Sequence, residues 1–503
     1  MRRGPEAANG LGPPAGFLET QLMPVAEQER TVQTRTFTVS DAPPKAKMPL
    51  DKSLRGYLET NRDLVTRITK PVSILDIGAL SAQSNFPIVF ENIVEYPGFR
   101  VCDILVKNRT TQARALGVPR EEYLKTLAYR LRRPPRGFVN VASGPVKEVK
   151  WMGAQADLTK LPIPFHKERD EYPYLTAMNI IRDPETGYYN TSHAGTTVAG
   201  PGRGLISFAT PHSNRIIRKY REMGADRMPI AIVAGVPPAY EIMGNFSGLH
   251  LDMWGEMEMV GTIMDQDVEM TPCETIDLTV PAHAEIVIEG NVNLRETFRV
   301  GDVTSPSMYY LPHFENIPEL QVEAITMRAD RPIYRNHQTC PDTDHQTLPR
   351  LCHEAVLYNR LREMSLDVKD VRFPTWGAAL SCLIQFDYPF QGFVNDALMM
   401  VMGAPWLNTK LVVAVSPDTN LDDPADVYHA IASRVDPARD VIIVPNTRGS
   451  LYDPSGAPLE GAHPLRVVGK MGIDATIKAR HDKSDFERAW PKKWGKIFLR
   501  DYL

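Results

Sequence analysis

Short apolar runs broken by glycine and proline dominate the middle of the chain. An apolar run from Leu175 ends in the polar hairpin Arg182-Asp-Pro-Glu-Thr-Gly187 and emerges at Tyr188-Tyr-Asn190. A second turn, Gly200-Pro-Gly-Arg-Gly204, leads through Ile206-Ser-Phe-Ala-Thr-Pro-His212 to a basic helix near 214–223. A buried strand closed by Gly235-Val-Pro-Pro238 follows, then Trp254-Gly-Glu256-Met-Glu-Met-Val-Gly261 and the run from Val280 to Gly290. Between Val149 and Leu311 this spacing predicts short β segments interrupted by one helix, the pattern of a β-barrel. Asn190, His212 and Glu256 each end or begin a strand-like run. Three such side chains converge only if the strands curl.

The flanks follow other periods. Residues 1–48 are rich in Pro, Gly, Ala and Gln and predict a flexible arm. Residues 49–148 predict an α/β region. Leu54, Tyr57, Leu58, Leu64, Val65 and Ile68 fall at helical spacing, and Pro87–Phe90 and Val101–Val106 are strand-like. Gly117 ends one helix, and Pro119 opens another with Glu121 and Glu122 in its first turn, ending before Pro134-Pro135. After the barrel, 149–325, strand and helix patterns alternate over 326–480. A helix is expected over 352–364, strands at 378–386 and 411–415, a helix at 427–433 and a strand at 441–444, which together make a third, α/β domain. A basic, aromatic tail closes the chain, 481–503.

Composition narrows the class. The 503 residues are 43% hydrophobic and 23% charged, ordinary for a globular protein of more than one domain. With 57 basic against 61 acidic residues the net charge is −4, which makes no electrostatic case for nucleic acid or an anionic membrane. No apolar run reaches the roughly 20 residues of a bilayer span. The start, Met1-Arg-Arg-Gly-Pro-Glu6, lacks an apolar signal core. Five cysteines without a Cys-x-x-Cys pair fit a reducing compartment, so a cytoplasmic protein is expected.

An ordered series of segments resembles the UbiD family of (de)carboxylases. It runs through Phe90-Glu-Asn92, Leu161-Pro-Ile-Pro164, Pro173-Tyr-Leu-Thr176 and Arg182-Asp-Pro-Glu-Thr-Gly187. It continues through Gly235-Val-Pro-Pro-Ala239, Glu285-Ile-Val-Ile-Glu-Gly290, Ala324-Ile-Thr326 and Gly472-Ile-Asp-Ala-Thr476. The resemblance implies an N-terminal α/β region, a central split β-barrel like that of flavin reductases, and a C-terminal α/β domain for oligomerisation. It also implies prenylated FMN, supplied by a flavin prenyltransferase, and a divalent metal, commonly manganese, with potassium as a further candidate ion. The implied substrate is an aromatic or otherwise unsaturated carboxylic acid, and the implied assembly a homodimer or homohexamer. Asn190, His212 and Glu256 match the family's metal- and phosphate-binding positions, with Glu258 as the fallback on the same strand face. An amide, an imidazole and a carboxylate suit a hard or borderline cation that also takes phosphate oxygens. Gly235, Pro237 and Pro238 are expected to border the flavin by their backbone.

The family's Arg and two acids are missing from their counted positions, which read Gly195, Val300 and Ser305. None of these replaces a carboxylate-binding Arg or a proton donor. His345 beside Asp344, His193 two residues before Gly195, and Asp302 in the altered loop are the candidate replacements for catalysis. The rival reading is a non-catalytic UbiD-like subunit of a multi-subunit carboxylase; a flavin oxidoreductase built on the same barrel ranks below it. His337, Cys340, His345 and Cys352-His353 fit no structural zinc spacing, and Gly200–Gly204 lacks the Lys-Ser/Thr of a phosphate loop.

Overall fold

The computed structural model describes residues 50–502 apart from 209, 247–253, 302, 305–306, 312–313, 365, 388–391, 405–406, 408 and 459–465. The expected arm, 1–48, and Asp302 and Ser305 therefore lie outside the described residues.

The first region is α/β, as expected. Helix α1 (Leu54–Thr60) starts where the Ser53 side chain accepts from Gly56 N, and buries Leu54, Tyr57 and Leu58. It stops six residues before Thr66, so the helical spacing that reached Ile68 overran. Thr66–Ile68 is instead strand β1, parallel to β2 (Ile88–Phe90), which pairs with β3 (Arg100–Asp103). Helix α2 (Arg109–Ala115) begins with a capping box between Asn108 and Thr111, and α3 (Tyr123–Arg130) follows Pro119 through a short 3-10 turn.

Nine strands form the central sheet. In chain order they include β4 (Val149–Met152), β5 (Tyr174–Leu175), β6 (Met178–Arg182), β7 (Tyr189–Ser192), β8 (Thr196–Gly200) and β9 (Arg203–Ile206). Helix α4 (Pro211–Glu222) intervenes before β10 (Arg227–Ala234), and helices α5 (Pro238–Gly244) and α6 (Glu256–Met264) come next. Two long strands, β11 (Ile286–Val300) and β12 (Phe314–Met327), complete the sheet. Its order is β5-β8-β9-β12-β11-β10-β6-β7, with β4 paired to β12.

This order shows that the sheet curls. β7 is one edge and β8 stands one strand from the other, yet β7 ends at Ser192 and β8 begins at Thr196. Four residue steps span about 13 Å at most. The link from β5, the other edge, to β6, one strand in from β7, is shorter still. The sheet edges must therefore approach one another without a shared ladder, which is a split barrel. Its central strand β10 is buried on both faces from Ile230 to Ala234, and reads as a continuous apolar run for that reason.

Among the described residues three helices, not one, interrupt the barrel. The stretch Glu256–Gly261, expected as a strand, lies in α6, which Gly255 precedes in extended conformation. Beyond β12 the chain does not leave the first region at once: β13 (Ile333–Arg335) pairs in parallel with β3.

The last part is a second α/β layer. Helix α7 (Leu351–Glu363), β14 (Val368–Arg372), β15 (Ser381–Phe386), α8 (Phe393–Gly403), β16 (Leu411–Val415), α9 (Pro424–Arg434), β17 (Val441–Gly449) and β18 (Arg466–Ala475) match the expected alternation. Sheet order is β14-β15-β16-β18-β17, with parallel pairing along β15, β16 and β18. Arg488 of the tail pairs with Asp426 of α9, while Trp490 and Trp494 stack on each other with both rings exposed. No helix among the described residues is long and apolar enough to cross a membrane.

Candidate functional site

The two faces of edge strand β7 carry different chemistry. Asn190 and Ser192 share one face, as period-two alternation requires, and both meet Ser213 at the start of α4. Asn190 Nδ2 donates to Ser213 Oγ at 3.5 Å, and Ser213 Oγ donates to Ser192 Oγ at 3.3 Å. Thr210 caps α4 by accepting from Ser213 N, and Pro211 takes the first helical position, where no N–H is needed. His212 comes next, at the positive end of the helix dipole. Its Nδ1 lies 2.7 Å from Glu256 Oε1.

Glu256 reaches this point from the first turn of α6, not from a strand. β7 is an edge strand whose outer N–H groups need acceptors. Glu256 Oε2 accepts from Thr191 N, and Glu258 Oε1 accepts from Tyr189 N, both at 3.2 Å. α6 thus covers the edge with two carboxylates. Gly255 permits the approach, since a Cβ there would collide with the Tyr189 carbonyl. The shared strand face expected of Glu256 and Glu258 does not exist: on a helix, residues two apart point away from each other. Burial pushes the Glu258 carboxyl up to about 7.

Asn190, His212 and Glu256 line one small cavity of about 30 Å³ together with Asp183, Arg215 and Trp254. The amide nitrogen of Asn190 is engaged by Ser213, which leaves Oδ1 as its ligand atom. An amide oxygen, an imidazole and a carboxylate, with a helix N-terminus and Arg215 beside them, suit a divalent cation and the phosphate it bridges.

The other face of β7 looks toward α5. Thr191 approaches Gly244, and His193, just beyond the strand, has its Nδ1 2.7 Å from Asn245 Nδ2. His193 packs edge-on against His337, ring centroids 4.7 Å apart. His337 Nε2 lies 3.3 Å from Glu241 Oε1 on α5. Burial holds both imidazoles well below the ordinary histidine range, and the positive charge of Arg335 pushes His337 further down. His345 sits close enough to weaken proton binding at both, and burial lowers its own affinity to about 4. His193 and His345, separate candidates in the sequence, lie near enough for one to bear on the charge of the other, and His337 and Glu241 stand beside His193. His337 had looked like part of a Cys/His group; Cys352 instead points its thiol at Ile242 O within the core.

Gly235, Pro237 and Pro238 are wholly buried. Gly235 has φ +88°, and a Cβ there would lie 2.6 Å from Glu285 Cβ and 2.8 Å from Ile333 O. Pro237 and Pro238 launch α5, so this turn positions Glu241 through the helix it begins.

Tyr174 occupies the space that a side chain on Gly195 would need. It also packs edge-on against His166, at 5.6 Å between centroids. Val300, at the end of β11, lines an open cavity of about 670 Å³ with Tyr174, Lys167, Arg169, Arg203 and Arg299.

Comparison with known proteins agrees with this layout. The "3-octaprenyl-4-hydroxybenzoate carboxy-lyase Rift-related domain" of the UbiD family matches residues 138–341, and the corresponding C-terminal domain matches 346–475. An anhydromevalonate phosphate decarboxylase of Methanosarcina mazei is 31% identical over 441 residues, 86% of this chain and 97% of that protein. The UbiD-class enzyme HmfF of Pelotomaculum thermopropionicum, solved with FMN, superposes with a TM-score of 0.80 at 32% identity, covering 90% of this chain and all of that one. A 3,4-dihydroxybenzoic acid decarboxylase of Enterobacter cloacae shares the fold, with a TM-score of 0.80 at 21% identity over 91% of this chain and 100% of the other.

Proposed function

This chain belongs to the UbiD family of decarboxylases, and from that premise we propose that it is a carboxy-lyase that uses prenylated FMN to decarboxylate, reversibly, an unsaturated carboxylic acid. The observation that carries the reading is the meeting of Asn190, His212 and Glu256 in one cavity beneath the N-terminus of α4. A divalent metal, manganese being favoured, would be held by these three and by the flavin phosphate, with Arg215 beside the phosphate. Bound there, a prenylated flavin would supply the electron sink that decarboxylation needs.

The chain's own residues do the rest. Glu256 fixes the His212 ring through Nδ1 and is itself held by Thr191 N, so the ligands are oriented before any ion arrives. His193 and His345 are the candidate proton carriers, since Gly195 and Val300 carry no acid and no cation. Burial lowers the proton affinity of both rings, that of His345 to about 4, so their imidazolium forms would be stronger donors than an ordinary histidine. Asp302 remains a candidate for the same role from the altered loop.

For the substrate, an acid bearing a second anionic group is favoured over a plain aromatic acid. The relative covered over 97% of its length is named for a phosphorylated, non-aromatic substrate. The cavity beside Val300 adds Lys167, Arg169, Arg203 and Arg299, against the acidic Asp170 and Glu171. Release of carbon dioxide from anhydromevalonate phosphate, compared with 3,4-dihydroxybenzoate, tests this choice. Turnover of the aromatic acid alone would reject it.

A non-catalytic subunit is the second reading, favoured by one observation: Tyr174 closes the position where the family's Arg would stand. Turnover by the purified chain alone separates the two. The C-terminal α/β layer is the proposed contact for a homodimer or homohexamer, which light scattering would measure.

A further inference from the structure

A buried ionic cluster lies behind His193 and is not used by the flavin-phosphate site. Arg335 sits among three acids: Nη1 is 2.9 Å from Asp103 Oδ1, Nη2 is 2.7 Å from Asp344 Oδ2, and Nε is 3.2 Å from Glu241 Oε1. All four side chains are at most 2% exposed. One guanidinium against three carboxylates leaves two negative charges without a partner when all are ionised. Buried charge of that kind is costly unless a cation or protons offset it. In the absence of a cation part of the offset comes from Asp103, whose carboxyl burial raises to about 7.

Two imidazoles stand beside Glu241, and its Oε1, which accepts from Arg335 Nε, also lies 3.3 Å from His337 Nε2. Glu241, His193 and His337 each offer one ligand atom, and the three atoms lie within 4.8 Å of one another. His337 is 2% exposed, and its Nδ1 has no hydrogen-bond partner among the described residues. The same holds for Nε2 of His193, whose Nδ1 is fixed by Asn245. Nδ1 accepts from that amide, so the resting ring carries its proton on Nε2; taking an ion at Nε2 moves this proton to Nδ1 and turns the Asn245 amide so that its oxygen accepts it.

We propose that His193, Glu241 and His337 form a second divalent-cation site, distinct from the one at Asn190, His212 and Glu256 and lying on the opposite face of β7; with the ion bound, His193 is a ligand and the proton role falls to His345. Two nitrogen donors and one carboxylate suit a borderline ion such as zinc, with open positions left for water. An ion bonded to all three would draw the donor atoms to about 3.3 Å apart, from metal–ligand lengths of about 2.0–2.1 Å. The dication supplies the two positive charges that the Asp103–Glu241–Asp344 group lacks.

The test uses full-length protein stripped with chelator and titrated with zinc chloride, read by calorimetry and by mass spectrometry of bound metal. Wild type is expected to bind two equivalents. His337→Gln and Glu241→Gln are expected to bind one, and His212→Ala also one, while His212→Ala with His337→Gln binds none. Saturation of wild type at one equivalent, or two equivalents retained in His337→Gln, would overturn the proposal. If a variant fails to fold, the zinc anomalous signal in crystals of soaked wild type decides. A peak between the three side chains supports the site, and no peak there rejects it.

Discussion

The Tyr174 hydroxyl stands where the first side-chain atom of any residue larger than glycine at 195 would have to go. Gly195 is therefore not independent of its neighbour: the ring of an edge-strand tyrosine, packed edge-on against His166, fills the volume beside it.

Gly195→Ala should destabilise the fold by about 1–3 kcal/mol, the usual cost of forcing extra atoms into packed space. Tyr174→Ala carries its own cost, but in that background Gly195→Ala should be close to neutral. Urea midpoints of the four proteins give the coupling energy. Additive effects would mean that the two residues do not compete.

Glu256 and Glu258 both cover the edge of β7, and of the two only Glu256 also lines the cavity of the proposed metal site. Glu256→Gln should lose divalent metal bound at this site, because it removes a charged ligand that also orients His212. Glu258→Gln keeps an oxygen for Tyr189 N and should retain the metal. Metal content after gel filtration, measured in a His337→Gln background, checks the pair. Equal loss in both variants would make Glu258 a ligand as well.

Burial, with Lys167 and His345 nearby, pushes the His166 ring down to about 3. Its folded proton affinity lies below the unfolded value of about 6.5, so the unfolded chain binds the extra proton first as pH falls. Stability is then intact above about pH 6.5 and is lost progressively toward pH 3. The share due to His166 is on the order of 2–3 kcal/mol by pH 4.5. His166→Gln, which can still accept from Thr339 N, should flatten the pH dependence of the unfolding free energy by that amount. An unchanged slope would show that the ring is protonated in the folded state.

Much of the architecture was legible because burial on both faces leaves continuous apolar runs. Ile230–Ala234 and Leu411–Val415 are strands at the centre of their sheets. Asn190 and His212 were singled out through the family resemblance, beside the hairpin and before the basic helix, and both line one cavity with Glu256. Glu256 was found with the wrong surroundings. The alternation Glu256-Met-Glu-Met-Val260 mimics a strand, but α6 is buried on nearly all sides, so polarity does not report its period. The Val65–Ile68 stretch failed for the converse reason, since a turn after α1 lets three residues join a parallel sheet that local spacing cannot reveal. The cluster of Asp103, Glu241, Arg335, His337 and Asp344 was not legible as a cluster: only His337 and Asp344 drew notice, each for another reason. Its members come from β3, α5, the end of β13 and the turn before α7, and they meet only because β13 returns to the first sheet.

The central claim, that the barrel pins a flavin phosphate through a cation at Asn190, His212 and Glu256, is tested most directly by flavin retention. The chain is produced together with a flavin prenyltransferase, and the released small molecules are measured by absorption and mass. Wild type should yield prenylated FMN at close to one equivalent, and His212→Ala should retain at least about tenfold less. Wild type without any flavin, or His212→Ala with a full complement, would contradict the account.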